Sequence, residues 1–196
     1  MRNEVELDST VRASARDSAT VTSEGRRIES VIDGVRTRAS TVHVDHRGRV
    51  FEIYPGVDEF WTDPVVYCYS FTIRVATSKG WGLHEHKDDR YTLISGEALV
   101  LLYDARSSSS THGVVQKVPL SEQGTRQLLI PAGVWHLTLN IGESEAFLIN
   151  HPTAQYVHSA PDRLLLPWDS PEIPVDVAAL FPVQRLGRTG PAAQRD

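Results

Sequence analysis

"VVYCYSFTIRV", residues 65–75, alternates bulky apolar and small or polar side chains. Val65, Tyr67, Tyr69, Phe71, Ile73 and Val75 fall on one face of an extended chain, and that period of two predicts a β-strand with one face toward a core. Working outward, the same texture returns in "VFEIY" (50–54), "RYTLISG" (90–96), "EALVLLYDA" (97–105), "GVVQKVPL" (113–120), "QLLIPAG" (127–133), "WHLTLNI" (135–141) and "EAFLIN" (145–150). Gly, Pro, Ser and Asp mark the breaks between these runs. Many short strands with almost no helical period predict an all-β antiparallel sandwich or barrel. A short helix is expected only at "DVAALF", residues 176–181.

The organisation follows from composition. Residues 1–36 are polar, with isolated apolar residues, and predict a flexible N-terminal arm; residues 37–180 form the folded domain; residues 181–196 form a flexible C-terminal tail. The chain of 196 residues is 40% hydrophobic, enough for one sizeable core. A net charge of −5 argues against nucleic acid as a partner. No apolar run approaches a membrane span, and "MRNEVELDST" lacks the apolar stretch of a signal peptide, so a cytoplasmic protein without a membrane partner is expected. The single cysteine, Cys68, lies within the alternating strand and is expected to be a small buried hydrophobe.

Chemistry concentrates in two places. In "GWGLHEHKDDRY" (80–91), His84 and His86 are two apart, so on a strand they share a face. Fifty residues after His86, "PAGVWHLTLN" places His136, Thr138 and Asn140 on one face by the same parity. An H-x-H motif followed by P-x-G-x-x-H, in order and separated by strands, resembles the cupin superfamily, a double-stranded β-helix or jelly-roll barrel. In metal cupins, the resemblance implies three histidines and a carboxylate around an ion; here these would be His84, His86, His136 and Asp89. Such a set suits Fe, Mn, Ni or Zn without choosing among them. The alternative is that the histidines line the barrel without metal.

A narrower resemblance covers residues 43–176. "VDHRGRVFEIY" (44–54), "KGWGLHEH" (79–86), "SGEALVLLYDARSSSSTHG" (95–113), "LLIPAGVWH" (128–136) and "LPWDSPEIPV" (166–175) fall in the order seen in the dTDP-4-dehydrorhamnose 3,5-epimerase family, a metal-independent cupin branch. The resemblance implies an isomerase on a nucleotide-linked 4-keto sugar that needs no cofactor. A base removes a proton next to the ketone, an acid returns one on the opposite face, and nearby groups stabilise the enolate. His84 matches the base, His136 a second active-site histidine, and Asp169 or its neighbour Ser170 the aspartate paired with the base. Arg47 matches an arginine that approaches the diphosphate from a neighbouring subunit, which implies a homodimer. Glu52, Lys79, Trp81, His86 and Arg106 complete the expected substrate-binding set.

Several family positions are changed. Ile149 stands at the place of the family's acid tyrosine, Asp89 near its lysine, Val100 at one aspartate, and His86 where the epimerases carry glutamine. These changes leave open single-centre epimerisation, keto-sugar isomerisation, a metal-dependent oxygenase or isomerase, and a small-molecule-binding protein without turnover.

Overall fold

A computed structural model describes residues 19–25 and 31–181. The chain divides into a piece ending at Ser30 and a unit beginning at Val31. Of the first piece, a turn closed by the Gly25 N–H donating to the Thr22 carbonyl is described. The second unit begins earlier than composition suggests. Ile32 and Val35 are buried in the main core, so residues 31–36 belong to the fold rather than to an arm. Most of the expected arm and the tail beyond Phe181 lie outside the described residues.

The described residues of this unit form twelve strands: β1 (Arg36–Ala39), β2 (Val42–Asp45), β3 (Gly48–Phe51), β4 (Tyr69–Ile73), β5 (Ser78–Leu83), β6 (Asp89–Ser95), β7 (Glu97–Asp104), β8 (Val115–Ser121), β9 (Thr125–Ile130), β10 (Val134–Asn140), β11 (Ala146–Asn150) and β12 (Leu164–Leu165). They form two five-stranded antiparallel sheets, ordered β1-β9-β6-β11-β4 and β12-β5-β10-β7-β8, plus the two-stranded hairpin β2-β3. Consecutive strands often lie in different sheets, as a jelly roll requires. In place of the expected helix there is a 3-10 turn at Ala178–Leu180, too short to bury a face of its own.

The strands carry the core by alternation. Ala98, Val100 and Leu102 of β7 and Val118 and Leu120 of β8 meet Leu93, Leu128 and Leu148 of the opposite sheet. Trp81, Leu101, Leu137 and Leu139 point the other way and are covered by Ile173 and Val177. Burying each Val, Leu or Ile side chain among them is worth about 1.5–3 kcal/mol.

The stretch 65–75 is only partly a strand. β4 runs from Tyr69 to Ile73, and Cys68, one residue before it, is exposed rather than buried. The preceding segment is held instead by Arg90. This fully buried guanidinium donates to the carbonyls of His151, Asp63 and Pro64 and lies 4.9 Å from the Trp61 ring centre. Among the described residues no helix is long and apolar enough to cross a membrane.

Candidate active site

The two histidine motifs touch. The Gly133 N–H donates to the His84 carbonyl at 2.7 Å, and the Ala132 N–H to Asp88 Oδ1 at 2.9 Å. The turn before β10 is thereby pinned to the loop after β5. His136 and Thr138 face inward from β10 while Leu137 and Leu139 face out. Gly82, opposite His136 in the pairing, leaves room for the ring: a Cβ there would stand 3.4 Å from His136 Nε2.

Between the sheets lies a cavity of about 470 Å³, with His84, Asp89, Tyr91 and His136 in its wall. Asp89 Oδ2 is 3.3 Å from His84 Nε2 and 3.6 Å from His136 Nε2. It is fully enclosed, and among the described residues nothing donates to it while both imidazoles are neutral; protonated His84 does. The other oxygen, Oδ1, accepts from Asn150 Nδ2 at 2.8 Å. His84 Nδ1 meets the Asp162 carbonyl, and His136 Nδ1 meets the Val134 carbonyl at 3.2 Å. A carbonyl can only accept, so each Nδ1 carries its proton and each Nε2 presents a lone pair.

The electrostatics separate the two imidazoles. Burial alone would lower the His84 pKa; the hydrogen bond and charge of Asp89, with the Asp162 carbonyl, outweigh it, and the value is raised above the ordinary 6.5. For His136 burial wins over the pull of Asp89, and the value is lowered. Burial opposes the Asp89 charge, but His84 and His136 overcome it and hold the carboxyl below its ordinary range.

The expected site residues separate. His84, His136, Asp89 and Lys79 line the cavity together. His86 does not join them. β5 ends at Leu83, and the loop beyond is held by Asp162, whose Oδ1 and Oδ2 accept from the N–H groups of Glu85 and His86 at 2.8 and 3.1 Å. Strand parity therefore stops before His86, which is exposed. Trp81 is buried, with Nε1 donating to the Trp168 carbonyl at 3.2 Å on the face of β5 turned from the cavity. Asp169 lies exposed in the adjoining turn, and the carboxylate beside the two histidines is Asp89. Arg106 clamps Asp104 at 2.8 Å and donates to the Asp33 carbonyl, outside the cavity. Arg47 is exposed on the β2-β3 hairpin and pairs with Asp45; Glu52 is exposed just beyond the hairpin.

The sequence reading missed Asp162, Tyr67, Tyr69, Tyr91, Lys87 and Arg163, of which all but Asp162 line the cavity. His158 also lines it. Tyr67 and Tyr69 were visible as inward members of the opening alternation; nothing in the spacing of "APDRLLL" singles out Asp162. Lys79, Lys87 and Arg163 put cationic side chains around a site whose deepest group is a carboxylate. His84, Asp89 and His136 also offer three ligand atoms within 4.8 Å of one another, enough to hold a divalent ion.

A jelly-roll barrel with a buried histidine pair at its open cavity is the architecture of a cupin. The sequence profile of the dTDP-4-dehydrorhamnose 3,5-epimerases matches residues 29–189, and the chain belongs to that family of dTDP-sugar isomerases. Spore coat polysaccharide biosynthesis protein SpsL of Bacillus subtilis (strain 168) is 32% identical over 143 residues, which are 73% of this chain and 94% of that protein. A dTDP sugar isomerase from Desulfovibrio desulfuricans G20 has a similar fold, with a TM-score of 0.70 and 23% identity over 75% of this chain and 92% of that one. A dTDP-6-deoxy-D-glucose-3,5-epimerase from Legionella pneumophila Philadelphia 1, solved with dTDP-4-keto-L-rhamnose, superposes with a TM-score of 0.66 and 21% identity over 76% of this chain and 81% of that one.

Proposed function

We propose that this chain inverts or isomerises a dTDP-linked 4-keto-6-deoxy sugar by removing the proton next to its ketone with His84. The observation that carries the reading is the orientation of His84: Nδ1–H is given to the Asp162 carbonyl, so the Nε2 lone pair is available in the cavity. A C–H bond next to the ketone breaks, its electron pair delocalises onto the ketone oxygen, and the proton passes to Nε2. Asp89, 3.3 Å away, stabilises the imidazolium that results. His136, kept neutral by burial, packs the back of the site, its ring centre 5.5 Å from that of His84.

Lys79, Lys87 and Arg163 supply positive charge for a diphosphate, and Tyr67 and Tyr156 supply flat surfaces for a sugar or base. The chemistry is proton transfer alone and draws on no cofactor. The protein acts in the cytoplasm as a homodimer, in which Arg47 reaches the neighbour's cavity. The support for this arrangement is the β2-β3 hairpin, whose strands among the described residues pair with each other and which exposes Val44 and Val50.

The test is incubation of the full chain with dTDP-4-keto-6-deoxyglucose in deuterated water. Deuterium is expected at C3 or C5; none at high enzyme concentration overturns the reading. Light scattering tests the dimer.

A further inference from the structure

Inverting a carbon needs a proton removed from one face and another delivered to the opposite face. The residue at the family's tyrosine position, Ile149, cannot donate one. Its neighbour Asn150 faces inward, so residue 149 alternates to the outer side of β11. We propose that Tyr69 is the proton donor of this site, acting from the wall opposite His84. The inference rests on His84 being the base.

Position comes first. His84 follows β5, in the sheet that also holds β10, whereas Tyr69 opens β4 in the other sheet, and both line the same cavity. A ring held between these walls shows one face to the imidazole and the other to the phenol. In the strand pairing Tyr69 lies opposite Asn150, and Asn150 opposite Tyr91.

The hydrogen bonds then fix polarity. Asn150 Oδ1 accepts from the Arg90 N–H at 3.0 Å, which sets the orientation of the carboxamide. Its Nδ2 donates to Asp89 Oδ1 at 2.8 Å and to the Tyr69 hydroxyl oxygen at 2.9 Å. The phenol is therefore an acceptor toward Asn150, and its own hydrogen is not used there. One carboxamide thus joins the carboxylate beside the base to the hydroxyl across the cavity.

The charges agree with this order of events. Desolvation, and then the Asp89 charge, push the Tyr69 phenol up to about 12, so it waits protonated. When His84 gains a proton it offsets Asp89, and the phenol gives up its own more readily. Tyr91 is the competitor, but it is only 6% exposed and its ring packs edge-on against Phe71 and His136.

The step balances. Tyr69 O–H breaks, the proton goes to the enolate carbon, and the ketone re-forms. Water then returns a proton to the phenolate and removes one from the imidazolium.

Tyr69→Phe in the full chain separates the two half-reactions. With dTDP-4-keto-6-deoxyglucose in deuterated water, proton exchange, which needs only His84, is expected within about threefold of wild type, with inverted product down at least about 100-fold. Product formation near the wild-type rate overturns the assignment. So does equal loss of exchange and product in a folded variant, which marks a positioning role, and so does the same split in Tyr91→Phe but not in Tyr69→Phe. If wild type shows no exchange, the base reading falls, and this inference with it. Replacement of Tyr69 by 3-fluorotyrosine covers a poorly folded phenylalanine variant. It is expected to move the alkaline limb of product formation to lower pH while exchange stays in place; an unmoved limb overturns the proposal.

Discussion

Asp89→Asn keeps the shape of the buried carboxylate and removes its charge. Unit charges 3.3 Å apart interact by about 5 kcal/mol at an effective dielectric near 20. The cavity is open to water on one side, so about half of that, near 2.5 kcal/mol, is a reasonable share for the developing imidazolium. That corresponds to roughly a 70-fold loss in kcat/KM for exchange. The pH dependence carries the sign. Asp89 raises the His84 pKa, and the base works only when unprotonated, so the wild-type acid limb lies above 6.5. In the variant burial is left in command and the limb moves to lower pH. The loss is therefore largest at alkaline pH and shrinks toward acid. Deuterium incorporation followed by NMR from pH 5 to 9 measures both effects. A variant within about threefold of wild type, with an unmoved limb, would refute the role given to Asp89.

Three further outcomes are expected. Arg90→Met removes a guanidinium whose donors satisfy the carbonyls of His151, Asp63 and Pro64, and should cost about 3–5 kcal/mol in urea unfolding; less than about 1 kcal/mol would show those carbonyls to be satisfied otherwise. Asp104→Asn should cost about 2–3 kcal/mol at neutral pH, since Arg106, Ser109 and Thr111 all donate to that buried carboxylate. These partners overcome burial and hold the Asp104 carboxyl far below 3.8, so the wild-type advantage is complete above that pH and is lost as pH falls through the lowered value; an advantage independent of pH would contradict this. Added Zn²⁺ should inhibit exchange by taking the lone pairs of His84 and His136 beside Asp89, with chelator restoring activity; activation by metal would refute a reaction that runs on proton transfer alone.

The strands were legible because burial on one face of a sheet imposes a period of two; β6, β7, β8, β10 and β11 fall within a residue or two of the runs that show it, and β9 ends three residues short of its run. The pairing of His84 with His136 was legible from two motifs in order. The failures have physical causes. His86 obeys parity only if the strand continues, and Asp162 stops it by capturing two backbone N–H groups from 77 and 76 residues away. In the sequence Asp89 is legible only as the carboxylate of the metal alternative, because its burial against both imidazoles depends on how β6 crosses the end of β5. Tyr69 belongs to the opening stretch, but its link to Asn150 requires the pairing of β4 with β11, 81 residues apart.

Asp162 presents two chemistries to one short loop: its side chain holds the backbone of Glu85 and His86, and its carbonyl holds the His84 ring. The protonation pattern of the base is therefore inherited with the segment around residue 162, not with the strand that leads into the histidine. In a chimera of two family members, exchanging that segment should transplant the tautomer of His84 along with it. A graft of β5 extended through His84 would carry the imidazole across without the partner that makes it a base.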